Sequence, residues 1–244
     1  MKNDFAMPRS LYADATMNAP VENGLSTAAS PRPRIPLALK LAYTAFMAVL
    51  VPVYWHHYGP TNFLYFCDVA LFFTLAAIWT ENALLASAAA VGIFLPQMLW
   101  CIDFAAGFLG LKLTGMTAYM FDPKRPLYLR ALSLFHGWLP FLLLFLVRRL
   151  GYDRRALLTW TLTAWALLLV CFLFLPAAGA SLVNPKTPVN VNYVWGMSDD
   201  SPQSWMPKYV WLATLLVGLP LLVFLPTHHF LRRRFSIAPL HAGS

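Results

Sequence analysis

Long apolar runs recur along this chain, and they decide what it can fold into. Between residues 37 and 230, segments of about 18 to 25 mostly apolar residues follow one another with only short polar interruptions. As a helix, each segment is long enough to cross about 30 Å of hydrocarbon. With 59% hydrophobic and 11% charged residues, the chain excludes a secreted enzyme, a nucleic-acid binder and a disordered protein as descriptions of the whole molecule. The sequence predicts an all-α polytopic membrane helical bundle.

Hydropathy places six transmembrane helices in a domain covering residues 37–231. The predicted spans are residues 37–55, 62–80, 82–109, 127–147, 156–178 and 209–230. Residues 1–36 mix small, polar and charged side chains without an apolar core, so we expect a disordered cytoplasmic tail rather than a signal peptide. Residues 232–244 begin with three consecutive arginines and are predicted to be a basic cytoplasmic tail.

Basic residues at the ends of the spans set the expected orientation. With the N-terminus in the cytoplasm, 12 of the 18 Lys and Arg residues lie inside and six lie outside. Tryptophan and tyrosine residues near the predicted external ends are typical of an interfacial aromatic belt. Both termini are therefore predicted to be cytoplasmic, and the two long segments 111–126 and 179–208 to be external loops.

The formal net charge of +8 has a membrane explanation, because the cationic side chains flank apolar spans, where they set orientation and contact anionic lipid. We expect membrane lipids as partners and no nucleic acid. The expected location is the inner (plasma) membrane of a bacterial cell, as a multi-pass protein. No cofactor is predicted, and self-association or an unnamed membrane partner stays open.

Three ionisable groups lie inside predicted spans at positions that a bilayer disfavours. Asp68 and Asp103 belong to the outer parts of the second and third spans, and His136 lies inside the fourth. Cys67 precedes Asp68, and the helical rise places both at about the depth of His136, roughly 9 to 10 Å below the outer surface. Ionisable groups at such depth usually face a bundle interior and have a partner. Cys67, Asp68, Asp103 and His136 are therefore the candidate catalytic residues.

Neighbouring polar side chains extend this candidate site. Gln97 and Trp100 lie below Asp103 on the same predicted helix and would form the floor of a pocket, and Asn192 enters from the last external loop. These three are the candidate substrate-binding residues. Pro140 removes the helical partner of the His136 carbonyl, leaving an extra acceptor.

A metal site is not predicted. The adjacent histidines His56 and His57 could join the carboxylates of the second and third spans as ligands. Adjacent side chains point in divergent directions, however, and the chain has no HxxH or HxxxH pair.

Three short motifs resemble a known family. They are Asn62, Phe63, Leu64, Tyr65, Phe66, Cys67 and Asp68; then Ser133, Leu134, Phe135, His136, Gly137 and Trp138; then Asn190, Val191, Asn192 and Tyr193. Together they resemble the YwaF-like six-helix integral membrane proteins, which look distantly akin to the androgen-induced lipid hydrolases and to a phospholipid acyltransferase. The resemblance covers about residues 54–230. It implies covalent catalysis on a lipid acyl group, with Cys67 as nucleophile and His136 as general base.

Other functions stay open on the sequence alone. A small-solute or proton transporter would use the buried Asp68, Asp103 and His136 as a relay, although the two halves of the chain show no repeat. A membrane scaffold would need no chemistry. In a purely structural reading, Asp68, His136 and Asn192 form an interhelical hydrogen-bond lock worth about 1 kcal/mol per bond.

The predicted topology can be tested by cysteine accessibility labelling in intact cells. We expect a cysteine introduced at Ser198 to react with a membrane-impermeant reagent, because the loop that carries it is external. A cysteine introduced at Ser236 should be protected until the cells are permeabilised. The reverse pattern would overturn the orientation.

Overall fold

The computed structural model describes residues 35–182 and 186–235. Within these residues the chain is helical and contains no strand, which confirms the all-α membrane bundle. Its main helices are α1 (Leu37–Tyr58), α2 (Phe66–Thr80), α3 (Ala83–Phe108), α4 (Leu127–Ser133), α5 (Phe135–Leu150), α6 (Ala156–Phe174), α7 (Lys208–Leu219) and α8 (Leu225–Phe235). Most of the predicted N-terminal tail, and residues 236–244 of the C-terminal one, lie outside the described residues.

Six helical segments occupy the positions of the six predicted spans. Five of them are long and apolar enough to cross a membrane: Leu37–Tyr58, Ala83–Phe108, Leu127–Leu150, Ala156–Phe174 and Lys208–Phe235. The sixth, α2, is apolar but has only 15 residues. The last span continues through its three arginines to Phe235, so the start of the predicted basic tail is helical.

The second span is the one whose form differs most from the prediction. Its first residues make a 3₁₀ turn, Pro60–Leu64, and the α-helix starts only at Phe66. Fifteen residues of α-helix rise about 22 Å, about 8 Å less than the hydrocarbon thickness. The α-helical part of this span is therefore shorter than the hydrocarbon, and Asp68 in its first turn is buried.

The helix α3 lies at the centre and packs against α2, α5, α6 and α8. Its middle is a run of small, fully buried residues from Ala86 to Val91, one of them a serine, and ends at Gly92. Small side chains let neighbouring helices approach closely, which is how membrane helices gain van der Waals contact. The indole of Trp160, on α6, packs directly on Gly92.

Connections at the two ends of the bundle differ. The short turn between α2 and α3 is closed by Glu81, in the left-handed region at φ 52°, and by Asn82, whose side chain accepts from the N–H groups of Leu84 and Leu85. Glu81 also forms a 2.9 Å ion pair with Lys40 of α1. At the opposite end lie the long segments 109–126 and 175–207. We call that end of the bundle the loop face.

The fourth span is interrupted beside His136. α4 ends at Ser133 and α5 begins at Phe135. Gly137 donates its N–H to the carbonyl of Leu134, so the carbonyl of Ser133 is left for another donor. One turn later Pro140 frees the carbonyl of His136, and the thiol of Cys101 on α3 lies 3.8 Å from that oxygen.

Replacing Gly92 tests the packing of α3. A methyl group at Gly92 would overlap the Trp160 indole, so Gly92→Ala should destabilise the protein by about 1–3 kcal/mol and lower the thermal unfolding temperature in detergent. Gly218→Ala is the matched control, because Gly218 is also helical but a methyl group added there would have no neighbouring atom within 4 Å. The control should be neutral or slightly stabilising. Equal unfolding temperatures for the two variants would contradict this packing.

Candidate functional site

The start of α2 carries the first part of the site. Asp68 is 3% exposed, and its Oδ2 accepts from the Asn62 side-chain amide at 3.2 Å and faces the Cys67 thiol at 3.9 Å. Its other oxygen, Oδ1, is buried and has no partner within the described residues. A buried acceptor without a partner is costly, so this carboxyl group is equipped to receive a donor from outside the chain.

Asn192 holds the first turn of α2 in place. Its Oδ1 accepts from the Phe66 N–H at 3.0 Å, and its Nδ2 donates to the carbonyl of Leu64 at 2.9 Å and to the Cys171 sulfur at 3.5 Å. Its backbone lies in the left-handed region, at φ 59° and ψ 22°. The candidate substrate-binding residue Asn192 is thus placed as a helix cap, with both ends of its amide already bonded to protein.

The backbone N–H groups of Cys67 and Asp68, in the first turn of α2, are not capped in the same way within the described chain. The first turn of an α-helix has no internal acceptors for its N–H groups. Phe66 is satisfied by Asn192, whereas the N–H groups of Cys67 and Asp68 have no acceptor in residues 35–182 and 186–235. Both lie close to the Cys67 sulfur. A thiol and two backbone donors that lack an oxygen acceptor in the described chain therefore share the first turn of α2.

His136 forms the second part of the site. Its Nδ1 lies 2.8 Å from the Ser133 carbonyl, the oxygen left free by the break in the fourth span. A carbonyl can only accept, so Nδ1 carries the proton and, in the neutral ring, Nε2 keeps a lone pair. The ring stacks on Trp100 with centroids 5.2 Å apart and planes 19° from parallel. His136 is thus held in the tautomer that a general base needs.

Hydrogen bonds connect these helices near Ser133. Its hydroxyl lies 2.9 Å from the Tyr54 hydroxyl of α1, and the Trp100 indole donates to the Tyr119 hydroxyl at 3.2 Å. Tyr119 belongs to the 3₁₀ turn Ala118–Met120 in the first long loop. Burial raises the pKa of Tyr119, while hydrogen bonds with Trp100 and Ser133 act in the opposite direction, so its hydroxyl stays protonated.

His136 was predicted to lie close to Cys67 or to a carboxylate. Within the part of the chain that the structure describes, the His136 ring has no hydrogen bond to Cys67, Asp68 or Asp103. The structure brings His136 together with Trp100 and the Ser133 carbonyl, and separately brings Cys67 together with Asp68. No hydrogen bond among the described residues joins one group to the other.

The carboxylate of Asp103 accepts hydrogen bonds from the first long loop. Its Oδ1 accepts from the N–H groups of Thr114 and Gly115, at 2.7 and 3.3 Å. Its Oδ2 accepts from the N–H and hydroxyl of Thr117, at 3.0 and 2.6 Å. Four donors from one loop occupy both oxygens, so this carboxylate organises segment 109–126 and is not aimed at His136.

Gln97 lies one turn below Trp100 on α3. It is 2% exposed, and neither end of its amide has a hydrogen-bond partner in the described part of the chain. Because residues three apart share a helix face, Gln97 and Trp100 face the same side. A buried amide with no partner indicates a space where water or a ligand group completes its bonds.

Some residues of this site carry no signal in the sequence. Tyr54 and Tyr119 look like ordinary interfacial aromatics, and Ser133 like a helix hydroxyl. Asn62 and Ser133 were named only as members of the motifs that resemble a known family, and no role was predicted for either.

No three His, Cys, Asp or Glu side chains come together as a metal ligand set among residues 35–182 and 186–235. The Nε2 of His57 lies 2.6 Å from the Tyr128 hydroxyl.

Comparisons with protein-family models, with curated proteins and with solved structures found no match to this chain. Any function assigned to the site therefore depends on its own geometry and chemistry.

The cap formed by Asn192 can be tested by removing its side chain. Asn192→Gly keeps the left-handed backbone accessible but leaves the Phe66 N–H and Leu64 carbonyl unpaired. We expect a loss of about 1–3 kcal/mol, measured as a lower unfolding temperature in detergent. Asn192→Ala should be worse, because alanine also disfavours a positive φ. An unchanged unfolding temperature in both variants would contradict the cap.

Proposed function

We propose that this integral membrane protein is an acyl-transfer enzyme that acts on the acyl ester of a membrane lipid. The observation that carries the proposal is the pair of uncapped N–H groups, of Cys67 and Asp68, beside the Cys67 thiol. Two fixed donors next to a nucleophile are what stabilises the oxyanion of a tetrahedral intermediate. Asp68 is buried, which keeps this turn largely out of bulk water. The resemblance to YwaF-like proteins agrees with this chemistry.

His136 supplies the base in this proposal. Its Nε2 accepts the thiol proton, and the Cys67 sulfur attacks the lipid ester carbonyl. The bond between the carbonyl carbon and the alcohol oxygen then breaks, and the alcohol leaves with the proton returned by His136. A thioester remains on Cys67. Water would release a fatty acid, and a second alcohol would accept the acyl group, so the same site serves a hydrolase or an acyltransferase.

The proton must bridge the gap between His136 and Cys67, which are not hydrogen-bonded to each other. A water between them, or a rotation of the ring away from Ser133, completes the path. Once protonated, the imidazole is stabilised by the face of Trp100, on which it already stacks. Asp68 lies beside Cys67, and its Oδ1 has no partner within the described chain.

A second candidate, a proton or small-solute transporter, is favoured by the polar atoms of Asp68 and Gln97 that lack partners among the described residues. Buried carboxyl and amide groups are typical of transport paths in membrane proteins. Reconstitution into liposomes separates the two functions. Flux that depends on pH and is abolished by Asp68→Asn, without any acyl adduct, would favour the transporter.

The acyl-transfer proposal is tested with an alkyne-tagged, activated ester of a long-chain fatty acid. The purified protein should form an adduct that hydroxylamine releases, as expected for a thioester. Cys67→Ser should abolish this hydroxylamine-sensitive label, and His136→Gln should slow its formation by about 10²- to 10⁴-fold. Label that persists in Cys67→Ser would remove Cys67 as the nucleophile.

Cys171→Ser is the control for unspecific thiol acylation. Cys171 is fully buried, and a serine hydroxyl can accept the same bond from Asn192. This variant should label like the native protein. Unfolding temperatures of all the variants in detergent show whether any loss of label reflects a lost fold.

A further inference from the structure

Two arginines at the loop face have no acidic partner among the described residues. Arg125 and Arg130 lie in and just after the first long loop, at the start of the fourth span. The ion pairs among residues 35–182 and 186–235 are Lys40 with Glu81 and Arg155 with Asp153, and both lie at the opposite end of the bundle. The two loop-face guanidinium groups are therefore not neutralised by a carboxylate of the described chain.

Both guanidinium groups gather over one short turn, Ala118–Met120. That of Arg125 lies 4.9 Å from the ring centroid of Tyr119 and donates to the Tyr58 hydroxyl at 3.1 Å. That of Arg130 donates to the carbonyl of Met120 at 3.2 Å. Tyr119 and Met120 are consecutive residues, so both arginines are anchored on the same turn.

Neither cation is freely solvated. Both arginines are half-buried, and the Nε of Arg130 is fully buried with no acceptor among the residues described. The acids of the same region accept hydrogen bonds from their own loop. Asp103 accepts three backbone N–H groups and the Thr117 hydroxyl, and Asp122 accepts the N–H of Lys124. Two neighbouring cations with unused donors favour a bound anion.

We propose that Arg125 and Arg130 form a binding site for a phosphate group at the loop face. The planar fork of a guanidinium matches two oxygens of a phosphate, and Arg125 is held in place by its aromatic and hydroxyl neighbours. The start of the fourth span lies where lipid headgroups meet the bundle. A headgroup phosphodiester and inorganic phosphate present the same oxyanion chemistry. The site is independent of the acyl-transfer chemistry at Cys67.

Binding measurements with the full chain separate the two sources of phosphate. In neutral detergent, calorimetric titration with inorganic phosphate measures affinity for the free anion. In a parallel arm, native mass spectrometry measures retention of phosphatidylglycerol against a neutral diacylglycerol. We expect Arg125→Gln and Arg130→Gln each to weaken binding in at least one arm by about tenfold or more, and the double variant to abolish it.

Lys112→Gln and Lys124→Gln are matched controls, because they remove one exposed positive charge each from the same loop. They should change affinity by less than about threefold, because an exposed charge contributes little to binding at a nearby site. Dependence on the arginines in the lipid arm alone identifies a headgroup site, and dependence in the inorganic phosphate arm identifies a free-anion site. Binding that is absent in both arms, unaffected by both arginine variants, or equally reduced by the lysine controls would overturn the proposal.

Unfolding temperatures measured without ligand show whether a loss of binding reflects a lost fold. Arg130 donates to a backbone carbonyl, so Arg130→Gln could lower stability. If that variant does not fold, Arg125→Gln decides the question, because it removes one of the two guanidinium groups from a half-buried surface position. Unchanged phosphate binding in folded Arg125→Gln would then reject the site.

Discussion

Hydrocarbon cannot hydrogen-bond to a helix end, and the site of this protein depends on how that constraint is met at the start of α2. This helix has 15 residues and is about 8 Å shorter than a full span. The amide of Asn192, from the last loop, bonds to the N–H of Phe66 and the carbonyl of Leu64. The N–H groups of the next two residues, Cys67 and Asp68, have no backbone acceptor in the described chain. The same cap therefore fixes the helix start and leaves these two donors beside the thiol.

The two long loops have different tasks at this end of the bundle. The first is tied to α3 through the carboxylate of Asp103 and then extends Tyr119 to the Trp100 indole. The second supplies Asn192. Burial raises the pKa of its Asp199, against the effect of the hydrogen bond from Asn190. Both loops thus bond to the helices through side chains, the first through Asp103 and Tyr119 and the second through Asn192.

Hydropathy was sufficient to predict the helices, because the length of each apolar run is fixed by the bilayer. It also identified Asp68 and His136 as unusual, since ionisable groups are costly at that depth. Hydropathy could not predict how each helix is rotated about its own axis, and so could not predict which side chains face each other. Asp103 and Asn192 were expected to share a pocket with His136. Asp103 instead accepts from the first long loop, and Asn192 bonds to the start of α2. Those bonds depend on turn conformations, including the positive φ of Asn192, that a single sequence does not specify.

The cap on α2 has a consequence for biogenesis. Phe66 and Asn192 are 126 positions apart in the chain, so α2 enters the membrane long before its cap has been synthesised. During that interval the start of α2 has one more unpaired donor than in the finished protein, and it relies on water or on the insertion machinery. The first turn of α2 can take its final form only after the last loop has folded against it. A truncated or stalled chain would carry the thiol and the carboxyl group without the geometry that surrounds them.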